Sequence, residues 1–247
     1  MVAPSMRMTS ATPIIALPLL LLLHSSFVLA NTEKVIFLGP EPVTIPGASP
    51  TLAELRLDVL TPEKPAIRTN LGRVFPTEVD DNALGQSTWL LLDNLTEAQR
   101  YELRVCWAAI EPTSFTLDVY DLNTVWETPE LVQSLHRFSV SRQPDSSLVS
   151  ESSGSHEAER SSSVQLLRVR AAADYFTDSL ELMQNPPPVL VDLILDPYLL
   201  NVVPQSLLPT IGCVLVVATV SWLLAKHLAT WLQTIAQSPA VHDKKQL

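Results

Sequence analysis

The chain has 247 residues, of which 47% are hydrophobic and only 17% charged, so part of its apolar mass is expected to be solvated by lipid. Twenty prolines against six glycines favour strands separated by Pro turns over helical bundles or Gly-rich phosphate loops. A formal charge of −10, with no Lys/Arg cluster before the last residues, excludes a nucleic-acid partner.

Residues 1–30 read as a secretory signal. Arg7 supplies a positive start, residues 14–23 form a short apolar core interrupted by Pro18, and Val28-Leu29-Ala30 carries small residues at −3 and −1. The core is about half of the ~20 residues that a span requires, so cleavage is expected, with Asn31 as the first mature residue.

Between residues 31 and 206 the strong segments are read as alternating with period two, as half-buried strands do: Leu55 to Val59, Trp89 to Leu92, Tyr101 to Trp107 and Phe115 to Tyr120. Residues 35–38, 164–169 and 189–195 add further candidates. The expected fold is therefore an all-β lumenal domain, an immunoglobulin- or fibronectin-III-like sandwich, followed by one C-terminal transmembrane helix. Leu95, five intervening residues and Tyr101 at the head of a strand resemble a tyrosine corner, in which the phenol bonds backbone a few residues upstream. Tyr101, Leu103, Val105 and Trp107 would then face the core, leaving Glu102, Arg104 and Cys106 on the other side.

Asn94-Leu95-Thr96 is an N-glycosylation sequon in the turn between two expected strands, which marks Asn94 as a candidate glycan acceptor. Residues 142–163 are rich in Ser and Glu with no apolar period, and are expected to form a disordered loop. Pro186-Pro187-Pro188 stiffens the approach to residues 189–195. Beyond it, Asp196-Pro197-Tyr198-Leu199-Leu200 is markedly apolar for a linker, which makes Tyr198, Leu199 and Leu200 candidate contacts with a partner or with lipid headgroups.

Residues 207–225 are almost wholly apolar and as a helix would span about 28 Å, which suits a thin bilayer. Lys226 and His227 close this run, Trp222 and Trp231 can sit at headgroup level, and residues 226–247 would be a cytosolic tail. That tail ends Lys244-Lys245-Gln246-Leu247, with lysines at −4 and −3, resembling the dilysine retrieval signal of endoplasmic reticulum membrane proteins, read by the coat machinery. Cys106 and Cys213 would lie on either side of the membrane boundary, so no disulfide joins them.

Chemistry is hard to find. The chain has no nucleophile elbow, P-loop or dinucleotide fingerprint, and neither its cysteines nor its five scattered histidines have zinc spacing. The carboxylate pairs Asp80-Asp81 and Asp192/Asp196 are the best acid-base candidates, but they lack a pocket signature and read more simply as solvated groups. His136, in the mixed segment 131–138, reads as a surface histidine. No catalytic, cofactor-binding or metal-binding residue is assigned, and a protein acting by contact is expected.

The order of these features resembles the fungal GPI-mannosyltransferase II co-activator family. The match is carried by residues 31–40 (NTEKVIFLGP), the strand from Tyr101 to Trp107, and residues 195–204 (LDPYLLNVVP) before the span. The resemblance implies a non-catalytic accessory subunit, without cofactor, of the endoplasmic reticulum complex that adds the second mannose to GPI-anchor precursors. Its partner would be a multispan mannosyltransferase using dolichol-phosphate mannose. One helix cannot enclose the intramembrane cavity that a lipid-linked donor needs, which fits that division of labour. The alternative is a quality-control or cargo-handling type I membrane protein of the same compartment with an immunoglobulin-like lumenal domain.

Overall fold

The computed structural model describes residues 30–45, 52–77, 83–142 and 160–236. The expected signal sequence, Asp80-Asp81, most of the expected loop and Lys244-Lys245 lie outside these residues.

Two five-stranded sheets form the body of the chain. In the first, β1 (Ala30–Leu38) pairs with β6 (Arg100–Ala108), and β6 with β9 (Val189–Leu199). Strands β4 (Ala66–Leu71) and β10 (Val203–Pro204) both pair with β9, at its two ends. In the second sheet, β8 (Arg160–Ala173) is central, with β5 (Gln86–Leu95), β7 (Thr113–Asp121) and the short β2 (Val43–Ile45) paired to it. Strand β3 (Asp58–Leu60) pairs with β5 in parallel. This mostly β, two-sheet architecture agrees with the expected fold class at that level, while the parallel β3–β5 pair and the helices packed on the second sheet depart from a wholly antiparallel, all-β sandwich.

The inner faces of the sheets share one core, with Leu103, Val105, Val191 and Leu193 of the first sheet meeting Leu90, Leu92, Leu167 and Val169 of the second. A second core lies on the far side of the second sheet. There Trp89, Leu91, Val164 and Leu166 are covered by α1 (Leu122–Glu127) and α2 (Pro129–Ser141), through Val125, Leu131 and Leu135. Strands β5 and β8 are therefore buried on both faces, and their sequences are apolar in runs rather than strictly alternating. The expectation of a half-buried strand at Trp89 to Leu92 is corrected accordingly.

Three further expectations shift. The segment from Leu55 to Val59 is not one strand: a 3-10 turn occupies Leu52–Leu55, Arg56 takes a left-handed φ of 50°, and the strand begins only at Asp58. Strand β8 starts at Arg160, so residues 160–163 of the expected loop are strand, where Ser162 and Ser163 are buried. The helical segment α2 replaces the mixed segment around His136. After α3 (Leu180–Gln184) and β9–β10, the helix α4 runs Leu208–Ala236, well beyond residue 225. Its 29 residues reach about 43 Å, longer than a hydrocarbon core of ~30 Å. The stretch Gln205–Ala236 is the one candidate membrane span among the described residues. Lys226, expected to close the span, lies inside this helix with its ammonium 5.6 Å from the Trp222 ring centre.

Candidate functional site

Tyr101 is fully buried, and its phenol oxygen accepts a 2.9 Å hydrogen bond from the Thr96 N–H, five residues upstream. The corner between β5 and β6 is closed from the other side by Gly39. Its N–H donates to the Gln99 carbonyl at 2.8 Å and its carbonyl accepts from the Ala98 N–H at 2.9 Å. A Cβ on Gly39 would stand 2.1 Å from the Thr96 carbonyl oxygen, so the approach of the two backbones requires glycine.

Of the residues expected on the outer face of β6, Arg104 and Cys106 are half-buried and Glu102 is buried. Glu102 is 4% exposed, as is Asp196, which lies directly across from it on β9. A carboxylate pair on adjacent strands is repulsive unless cations and donors satisfy it. Glu102 Oε2 accepts from Lys34 Nζ and from the Tyr198 hydroxyl, each at 3.1 Å, and Arg104 lies 3.5 Å from its other oxygen. Asp196 accepts from the Ser206 N–H at 3.2 Å, the Ser206 hydroxyl at 2.5 Å and Arg104 Nη2 at 3.3 Å. Burial pushes the Tyr198 phenol above its ordinary pKa, and its bond to Glu102 adds to that shift. Both carboxylates are thus occupied by internal partners, and the cluster ties β1, β6 and β9 to the turn that precedes α4.

This geometry corrects the place expected for Tyr198. Its side chain is buried against Glu102, with the Arg100 guanidinium 5.8 Å from its ring centre, so it belongs to the fold rather than to a free contact surface. Leu199 and Leu200 do stand exposed, as does Val202. Asp192, the other member of the expected acidic pair, is held by Arg68 through bonds of 2.6 and 2.7 Å, which keep its carboxyl below the usual carboxylate range. On β1, an edge strand, Ile36 and Leu38 are exposed apolar residues of the same outer face.

Asn94 is exposed at an irregularity near the end of β5, in a left-handed conformation with φ of 55°, and its amide donates to Glu63 Oε1 at 2.8 Å. That bond helps to hold the Glu63 carboxyl below its ordinary range, after a backbone donor of the same turn. A shallow cavity of about 170 Å³ opens between β4, β5 and α2, lined by Asn70, Gln86, Thr88, Phe138 and the ion pair Asp58–Arg142. It offers amides and hydroxyls, but no nucleophile hydrogen-bonded to a base. Among the described residues no three His, Cys, Asp or Glu side chains converge as a metal site. Sequence reasoning missed the Glu102 cluster because a Glu and an Arg alternating with core residues look like an ordinary solvent face. The cross-strand register that brings Asp196 and Lys34 beside them is not local.

The chain is thus a two-sheet β protein with a helical flank and a C-terminal helix long and apolar enough to cross a membrane. Its residues 21–146, about half of its length, match the family model of the GPI-mannosyltransferase II co-activator (Pga1), and the chain belongs to that family. No curated protein and no solved structure matches it. Family membership places the chain in GPI-anchor biosynthesis, with the GPI mannosyltransferase catalytic subunit as the implied partner.

Proposed function

We propose that this chain is a non-catalytic, single-span subunit of the endoplasmic reticulum complex that adds the second mannose to GPI-anchor precursors. The co-activator family match carries this reading. It is supported by a domain whose buried carboxylates among the described residues, Asp93, Glu102 and Asp196, are each spent on internal partners, as in a scaffold, and by one helix with no acidic residue along its whole length. A single helix cannot form the enclosed intramembrane site that a polyisoprenoid donor needs, so a multispan partner supplies the catalytic cavity.

In this account the β-sheet domain is lumenal, α4 crosses the membrane, and residues after Ala236 reach the cytosol, where Lys244 and Lys245 act as a retrieval signal. The lumenal surface best suited to the partner is the β1 edge, where Ile36 and Leu38 stand exposed beside strand backbone that pairs with no other strand among the described residues. Within the bilayer, α4 offers the rest of the contact.

Affinity purification of the full chain in mild detergent tests this proposal. A multispan mannosyltransferase should be recovered in stoichiometric amount, and Ile36→Asp with Leu38→Asp should reduce its recovery while the chain itself remains folded. A shifting set of unrelated lumenal clients, with no mannosyltransferase among them, would support a quality-control role instead.

A further inference from the structure

The turn from β9 to β10 displays two aliphatic side chains in a fixed way. Leu200 is 87% exposed and Val202 72% exposed, at the tip of a tight hairpin closed by the Val202 N–H donating to the Leu199 carbonyl at 3.0 Å. Leu200 and Asn201 both take left-handed conformations, with φ of 51° and 58°. Such a turn favours Asn or Gly at its central positions, and a leucine there is both sterically disfavoured and badly hydrated. The local sequence therefore opposes the conformation, and neighbouring bonds impose it.

Those bonds are specific. The Asn201 side chain accepts from the Arg100 N–H at 2.8 Å and donates to the Ala98 carbonyl at 2.9 Å, and Gln99 donates to the Tyr198 carbonyl. The tip is therefore locked to the Gly39–Tyr101 corner on one side. On the other side, Ser206 locks the chain to Asp196 and Arg104 just before α4 begins. Val202 and Leu208 are six positions apart, a reach of at most about 22 Å, shortened further because Val203–Pro204 folds back on β9.

We infer that this hairpin tip is a membrane-docking wedge, with Leu200 and Val202 inserted into the phospholipid leaflet that the chain enters at Leu208. Continuity with the candidate span decides the occupant, because the tip is tied by hydrogen bonds to the β domain only six positions before the helix begins, and that helix's apolar surface needs the same lipid. The shape agrees. A convex tip of two aliphatic side chains falls far short of the ~800 Å² per partner typical of a specific protein contact, whereas lipid needs only buried apolar area. Arg100, stacked on the Tyr198 ring at the base of the tip, is suitably placed for a lipid phosphate. The wedge and the Asp196–Ser206 tie would together fix the tilt of the β domain on the membrane.

The test uses the full chain reconstituted alone in phosphatidylcholine vesicles, some carrying bromine on their acyl chains. In a Cys106→Ser, Cys213→Ala background, Leu200→Cys and Val202→Cys are each labelled with a small fluorophore. Ile110→Cys serves as the reference, being 89% exposed just past the opposite end of β6, about 26 Å of strand away. Acyl-chain bromine should quench both tip labels about twofold or more and leave the Ile110 label unaffected. Quenching of the tip labels no greater than at Ile110 would overturn the inference. If tip positions unquenched in vesicles were then to crosslink to a polypeptide in native membranes, the occupant would be protein. No mannosyltransferase is present in the vesicles, so this outcome is independent of the proposed function.

Discussion

The hydroxyl of Ser206 donates to the carboxylate of Asp196 at 2.5 Å, tying the last turn before the C-terminal helix to the outer face of β9. A flexible tether would let the β domain move freely over the membrane, whereas this bond makes domain and helix a continuous body at their junction. Asp196→Ala would leave Arg104 without one of its two carboxylate partners in a largely buried setting, and should destabilise the domain by about 2–4 kcal/mol. Ser206→Ala should cost only ~1 kcal/mol, yet raise amide hydrogen exchange at residues 204–208. Equal exchange in wild type and Ser206→Ala would show that the tie does not order the junction.

A second prediction concerns acid. Asp93 is buried, which by itself would raise its pKa, but bonds from Arg160, Ser162 and the Asn94 N–H outweigh burial and hold the carboxyl below its ordinary range. A folded-state pKa below the unfolded value gives stability that is fully present above the unfolded pKa, near 4, and is lost as pH falls through the lower folded value. Stability should therefore show no loss from this group between pH 7 and about 5, and a decline below about 4. Asp93→Asn should remove part of that acid-induced decline while costing about 1–3 kcal/mol at neutral pH. Urea titrations of both proteins at pH 3.5 and 7 decide the matter.

Leu200→Gly separates stability from docking. Glycine accepts the left-handed φ of 51° without a Cβ penalty, so the variant should be more stable than wild type by about 1 kcal/mol. Vesicle contact at Val202 should nevertheless weaken. A destabilised Leu200→Gly would mean that the leucine packs within the fold, contrary to its exposure.

Asn94 should carry a glycan. Its side chain is exposed, and the bond to Glu63 is a surface contact that attachment can displace. Treatment with an asparagine-specific glycosidase should lower the mass by one glycan, and Asn94→Gln should match the treated protein. An unshifted wild-type mass would remove the claim.

Much of the fold was legible from residues, and the failures have local causes. Tyr101 and Leu95 announced their corner because its geometry depends on a few neighbours, and β6, β7 and β9 show clear alternation along much of their length. The run from Trp89 to Leu92 has no alternation, which is the signature of a strand buried on both faces, and it should have signalled a covering layer. That layer is α2, whose Leu131, Leu135 and Phe138 recur at helical spacing after Thr128-Pro129, a common helix start. An all-β prior set by the proline content hid it. Glu102 and Asp196 could not be recognised as partners, since their encounter depends on pairing between strands more than 90 residues apart in sequence. Arg56, whose left-handed conformation ends the 3-10 turn, carries no residue-type signal that would have predicted it.

In the proposed function this chain supports a mannosyltransferase by contact and performs no transfer itself. Transfer of the second mannose is most directly measured in membranes depleted of the chain, with purified wild-type chain or buffer added back, and with the chain alone in vesicles as a control. Weak transfer is expected in depleted membranes with accumulation of one-mannose precursors, recovery on adding the chain, and none from the chain alone. Undiminished transfer without the chain, or transfer by the chain in the absence of any other protein, would contradict the proposed function.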